Sequence, residues 1–140
     1  MAVTEFLINI ISSYNALLRL TASDFNLTIS QALHVLSIPF DGIPMSQLAK
    51  KLGLDSSTLT RNIYKLQNIG LVMRKSDNYD KRIKIIALTR AGHNINKQLI
   101  NKINEINYDI MSQLSIDDKE SITQSIERFS WAIDCERENE

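Results

Sequence analysis

The tripeptide Gly53-Leu54-Asp55 separates two short stretches of helical periodicity, and it restricts the fold more than any other feature of the chain. Before it, Leu48, Ala49 and Leu52 share one face of a helix predicted over Ser46 to Leu52, and Gly53 ends that helix because it tolerates left-handed backbone. After it, Asp55 is a good N-cap for a helix from Ser56 to Ile69, where Leu59, Ile63 and Leu66 repeat at helical spacing until Gly70. The pattern then changes. Leu71 to Lys75 and Ile83 to Leu88 are rich in branched apolar residues and bracket the polar stretch Ser76 to Lys81, which predicts a two-stranded hairpin with a charged tip.

Longer helices flank this unit. Phe6, Leu7, Ile10, Ile11, Tyr14, Leu17 and Leu18 recur at three- and four-residue intervals between Thr4 and Leu20, a wide apolar stripe. A second helix is expected from Thr28 to Ser37, with Leu33 and Leu36 inward, ending before Pro39 and the Asp41-Gly42 turn, after which Pro44 opens the next unit. Thr89 caps a long helix with Ile95, Leu99, Ile103, Ile106, Ile110 and Leu114 along a near-heptad seam. The Asp117-Asp118 region begins a last helix with Ile122, Ile126, Phe129 and Ile133 on one side. The outer helices carry more apolar surface than the small central unit can cover, so a helical dimer interface is the economical reading, with packing inside one chain as the alternative.

Composition fits this picture. A chain of 140 residues with 44% hydrophobic content, four Gly and two Pro suits one helix-rich domain able to bury about two-thirds of its unfolded surface. No apolar run approaches the roughly 18 residues of a membrane span, and Met1 to Glu5 has no basic leader region, so a cytoplasmic protein without a membrane partner is expected. The lone Cys135 offers neither an intrachain disulfide nor a zinc cluster. Net charge is zero, yet its distribution is uneven. Between Met45 and Thr89 nine basic residues stand against three acids, whereas from Asp117 onward eight acids stand against three basic residues. A basic middle attracts phosphate while an acidic tail limits indiscriminate binding.

Helix, turn, helix and basic hairpin, in that order, form a winged helix-turn-helix, whose second helix can enter a major groove while the hairpin reaches the adjoining minor groove. Near its start the second helix offers Ser56, Ser57, Thr58, Thr60, Arg61 and Asn62, small hydroxyls and base-edge donors, with Lys65 one turn beyond Arg61 for phosphate. An isolated cluster of this kind would sooner be read as capping residues and a solvated arginine. The surrounding motif favours the nucleic-acid reading.

Residues 45–92 resemble the DNA-binding core of the MarR family of dimeric winged-helix transcriptional regulators. Met45-Ser46-Gln47-Leu48-Ala49-Lys50-Lys51-Leu52-Gly53-Leu54-Asp55 is similar to the family's positioning helix and turn, and Ser57-Thr58-Leu59-Thr60-Arg61 to the opening of its recognition helix. Leu66 to Val72 is similar to the exit into the first wing strand. Asp80-Lys81-Arg82, followed by Leu88-Thr89 and Gly92, resembles the wing signature. The resemblance implies a mainly α fold with a small β-hairpin wing, a winged helix-turn-helix core at 28–89, and dimerisation helices at 4–22 and 90–137 of a single chain-long unit, 1–140. The family pairs its first and last helices across a two-fold axis.

The resemblance further implies that Arg82 enters the minor groove and that Asp80 holds its guanidinium, although outside the family pattern the two would be an ordinary surface pair. Lys81 and Lys84 would meet phosphate. Family members commonly carry Arg where Lys81 stands, and Lys keeps the charge without the bidentate geometry. Two recognition helices in successive major grooves imply a pseudo-palindromic duplex with half-sites about one helical turn apart. The expected partners are double-stranded DNA, a second copy of the chain and a small-molecule effector; the expected role is a repressor released by that effector.

Effector residues stay unassigned. Tyr14, Phe25, Phe40 and Trp131 are candidates for an aromatic pocket or for core. His34 and His93 lack a ligand pair at helical spacing, so each reads as a core or surface histidine, and neither metal nor other cofactor is expected. Cys135, between Asp134 and Glu136, is poorly placed to be a reactive thiolate. No nucleophile stands beside a base and no glycine loop cradles phosphate, which argues against an enzyme. The alternative class is a winged helix that binds an acidic protein surface without reading a DNA sequence.

Overall fold

The computed structural model describes residues 2–139. Met1 and Glu140, the outer bounds of the expected chain-long unit, lie outside the described residues. The elements are α1 (Ala2–Ser23), α2 (Ile29–Ser37), β1 (Ile43–Pro44), α3 (Met45–Leu52), α4 (Ser56–Asn68), β2 (Val72–Ser76), β3 (Lys84–Leu88), α5 (Arg90–Ser112) and α6 (Ile116–Glu138). The fold is mainly helical, with a small antiparallel sheet forming the wing, as the sequence predicts. The chain divides into two compact units, and the break falls within α5 between Ile103 and Asn104.

The first unit is built around one apolar core. Val35 of α2, Leu48 of α3, Leu59, Ile63 and Leu66 of α4, Ile86 of β3 and Leu99 of α5 are buried there. The spacing of Leu59, Ile63 and Leu66 turns one stripe of α4 inward and leaves the opposite face to solvent. Burying such a side chain in full contributes about 1.5–3 kcal/mol, so these residues fix the orientation of α4 more firmly than its surface groups do.

Helix ends follow the local chemistry. α3 stops at Gly53, left-handed at φ 66°, where the Gly53 N–H donates to the Lys50 carbonyl at 3.2 Å and the Leu54 N–H to the Ala49 carbonyl at 2.9 Å. α4 starts at Asp55, whose Oδ1 accepts from the Thr58 N–H at 2.8 Å. Thr28 and Gln31 close a reciprocal capping box on α2.

Three details differ from the sequence reading. The wing has three strands in the order β1-β3-β2, because Ile43 and Pro44 pair with Ile86 and Ile85 on the outer side of β3. Proline is tolerated on such an edge, where its missing N–H costs no central ladder bond, and two residues are too few to show alternation. Leu33 is not inward. It is 40% exposed while Ala32, His34 and Val35 are buried, since α2 is apolar around most of its circumference and its pattern does not choose a face. The cap of α6 is Ser115, accepting from the Asp118 N–H at 3.1 Å, which puts Asp117 and Asp118 in the first turn, where the helix dipole favours acids.

The wing signature has a structural cause. Thr89 Oγ1 donates to the Gly70 carbonyl at 2.6 Å and accepts from the Gly92 N–H at 3.0 Å, and the Thr89 N–H donates to the Leu71 carbonyl at 3.0 Å. One residue therefore clasps the exit of α4 to the start of α5. A Cβ at Gly92 would collide with the Leu71 carbonyl, so only glycine lets α5 pass this close.

Considerable apolar surface is left uncovered in each unit. On α1, Phe6, Ile10, Ile11 and Leu20 are exposed. No described residue of α6 is buried, and its Ile126, Phe129, Trp131 and Ile133 are exposed. No helix among the described residues is long and apolar enough to cross a membrane.

Candidate nucleic-acid interface

Helix α4 presents a continuous exposed stripe. Ser57, Thr60, Arg61 and Lys65 lie on its solvent side, with Ser56 in the first turn. Thr58 is half-buried because it completes the cap: its Oγ1 donates to Asp55 Oδ2 at 2.9 Å, and Arg61 Nη2 reaches that hydroxyl at 3.4 Å. Hydrogen bonds from the Thr58 backbone, and then from its hydroxyl, hold the Asp55 carboxyl below its ordinary value. Thr60 Oγ1 donates to the Ser56 carbonyl at 2.7 Å, which steadies the first turn.

Asn62, expected among the exposed residues of this helix, is instead half-buried, and its Nδ2 lies 3.2 Å from Nε2 of His34 on α2. His34 is buried, and its Nδ1 is 2.6 Å from the Ser30 carbonyl, an arrangement in which Nδ1 must donate and Nε2 accept. His34 is thus a core histidine that ties α2 to α4. Beside it, Thr28, Gln31, Asn62 and Lys65 line a cleft of about 160 Å³.

Tyr64 was not singled out by the sequence. It is 62% exposed, three residues beyond Arg61 and four beyond Thr60, hence on the same face. That helical spacing is the signal that identifies it.

At the wing, β2 and β3 pair from Val72↔Leu88 to Ser76↔Lys84, and the tip between them is fixed by hydrogen bonds. The Asp77 N–H donates to the Ile83 carbonyl and the Ile83 N–H to the Asp80 carbonyl, each at 3.0 Å. Asp77 Oδ2 accepts from the N–H groups of Tyr79 (3.1 Å) and Asp80 (3.0 Å).

On this platform Asp80 grips Arg82. Oδ1 accepts from the Arg82 backbone N–H at 3.0 Å and from Nε at 3.1 Å, and Oδ2 accepts from Nη2 at 3.1 Å. The Arg82 side chain is nevertheless 92% exposed, so the guanidinium is held outward with donors to spare. The Arg82 side chain, and then its backbone N–H, keep the Asp80 carboxyl below its ordinary value, and the pairing raises the guanidinium further above its own. Lys81 and Lys84 stand exposed beside this pair, as do Arg74 and Lys75 on β2.

The other sequence candidates are dispersed. Phe25 packs against the core of the first unit, Phe40 is exposed with its ring 5.0 Å from that of His93, and Tyr14 is half-buried on α1. In the second unit Trp131 is exposed and Cys135 half-buried.

Residues 39–84, from the loop before β1 to the first residue of β3, match the model of the MarR family. Over 135 residues the chain is 26% identical to the HTH-type transcriptional regulator TcaR of Staphylococcus aureus, covering 92% of this chain and 89% of that protein. Among solved structures it resembles a MarR protein from Peptoclostridium difficile, with a TM-score of 0.84, 21% identity and coverage of 99% and 92% of the two chains. It also resembles FabT of Streptococcus pneumoniae, solved in complex with DNA, with a TM-score of 0.83, 16% identity and coverage of 95% and 96%. At these identities the structural likenesses establish the fold. The fold is thus the winged helix-turn-helix of those structures, and the segment from β1 through α4 to the tip of the wing is similar to the MarR family.

Proposed function

We propose that the chain regulates transcription by binding double-stranded DNA as a homodimer, with α4 in the major groove and the wing tip in the minor groove. The observation that carries this reading is the outward guanidinium of Arg82 gripped by Asp80, because a cation already ordered loses little freedom on entering a narrow, electronegative groove. Ser56, Ser57, Thr60 and Arg61 would meet the major groove and Lys65, Lys81 and Lys84 the phosphates, while Thr58 and Asn62 hold the helix in place. The names of relatives support the same role: TcaR is a transcriptional regulator and FabT is solved with DNA.

The exposed apolar faces of α1 and α6 support self-association, and a two-fold dimer would set the two heads on half-sites about one turn apart. The chain then acts as a repressor by occupying an operator, and a small molecule that alters the spacing of the heads releases it.

The test is a fluorescence-anisotropy titration against promoter-derived and random duplexes over a salt series. Specific binding that Arg82→Ala and Arg61→Ala each weaken about tenfold or more, with Arg82→Ala flattening the salt dependence, is the expected result. Equally weak binding to every duplex, unaffected by either change, would overturn it in favour of a protein-binding winged helix.

A further inference from the structure

We propose that Tyr79 is a DNA contact of the wing tip, its ring packing on the deoxyribose wall of the minor groove and its hydroxyl donating to a backbone phosphate. This assignment rests on the DNA-binding reading above and adds a contact that carries no charge.

Tyr79 is 99% exposed, the most exposed large apolar or aromatic side chain among the described residues. Its ring therefore does nothing for the core. Its backbone, by contrast, is tightly held: its N–H donates to Asp77 Oδ2, and the same oxygen fixes the next residue, Asp80, which grips Arg82. An aromatic side chain has only two rotatable bonds, and on a fixed turn it offers a large contact area at low entropic cost.

The groove decides where that ring goes. A minor groove about 6 Å wide admits an arginine but not an arginine and an aromatic ring side by side. With Arg82 inserted, a residue three positions earlier in the same tip meets the lip of the groove, where sugars present apolar C–H faces and phosphates accept hydrogen bonds. Lys81, next to the pair, brings the same lip within reach by attraction to phosphate.

Sugar and phosphate are common to all sequences, so a mixed-sequence, fluorescein-labelled duplex of about 30 bp, roughly three helical turns, serves as the probe. Affinity is measured for the parent protein, Tyr79→Ala, Tyr79→Phe and Arg82→Ala from about 50 to 200 mM salt. Tyr79→Ala is expected to bind roughly tenfold more weakly at every salt concentration, with an unchanged slope of log K against log salt, since no ion is released by a neutral side chain. Tyr79→Phe keeps the packing and stays within about threefold of the parent. Arg82→Ala lowers the slope by about one for each lost phosphate-neutralising contact. Parent-like binding by Tyr79→Ala beside a weakened Arg82→Ala would overturn the Tyr79 assignment alone. Parent-like binding by both would overturn the DNA-binding reading on which it rests. A loss in Tyr79→Ala that appears on one duplex and not on a second of different sequence would replace wall packing by base reading, and so overturn it too.

Discussion

Asn62 donates through its amide to Nε2 of His34, 3.2 Å away, although the two residues are 28 positions apart and on different helices. Because His34 is buried and spends its Nδ1–H on the Ser30 carbonyl, Nε2 has Asn62 as its partner in the interior. Asn62→Ala is expected to leave that acceptor unsatisfied and to cost about 1–3 kcal/mol, read as a lower urea midpoint at constant m-value. Any effect on DNA binding should fall alike on all duplexes, since the residue's contact is with His34 and serves to orient α4.

Asp80 supplies a second prediction. Asp80→Asn retains one accepting oxygen but loses the charge that holds the guanidinium, so the Arg82 side chain should gain mobility, visible as a lower order parameter at its Nε. DNA affinity should fall several-fold while the thermal midpoint stays close to that of the parent, as for other exposed surface changes.

The pH response follows from the direction of the carboxylate shifts. Asp55 and Asp80 both titrate below the ordinary value of 3.8 in the folded chain, held down by hydrogen bonds from Thr58 and from Arg82. Their contribution is complete above the unfolded value and is lost as pH falls through the lowered folded values. A carbon-detected NMR titration should therefore show both midpoints below those of ordinary exposed carboxyls. Between neutrality and about pH 5, neither the helix cap nor the grip on Arg82 should weaken.

At Gly92 a single methyl group has nowhere to go. Gly92→Ala forces its Cβ against the Leu71 carbonyl, which also accepts from the Thr89 N–H, and is expected to cost roughly 2–3 kcal/mol in denaturant unfolding. Thr89→Val, which removes the hydroxyl that serves Gly70 and Gly92, should cost about 1 kcal/mol or more, and Thr89→Ser should restore most of it.

If a second copy covers α1, a charge in the middle of its exposed face should prevent association. Ile10→Glu, at a side chain 60% exposed in the single chain, is expected to shift the sedimenting species from dimer to monomer at micromolar concentration, with helical content retained.

Much of the first unit is legible in the sequence. Leu59, Ile63 and Leu66 announced both the helix and its buried side, and Gly53 and Asp55 marked helix ends that depend only on near neighbours. What escaped was tertiary. Ile43 and Pro44 become a strand only because Ile86 and Ile85 lie alongside, and no local pattern records that pairing. Leu33 looked as apolar as Val35, and the packing of α2 chose between them. Asn62 and Tyr64, two residues apart on α4, point in different directions because His34 engages one and solvent the other. Single-residue chemistry was readable at the wing, where Asp80 and Arg82 are separated by one position, and unreadable wherever the partner came from another helix.

The Thr89 clasp also limits how this molecule can move. The carbonyl just beyond α4 and the first turn of α5 share one hydroxyl, so the exit of α4 does not swing without the start of α5 swinging with it. The two form one lever arm. Any tilt of α4 would carry the first turn of α5 with it, and slowed hydrogen exchange at the Gly92 amide is where that coupling should show.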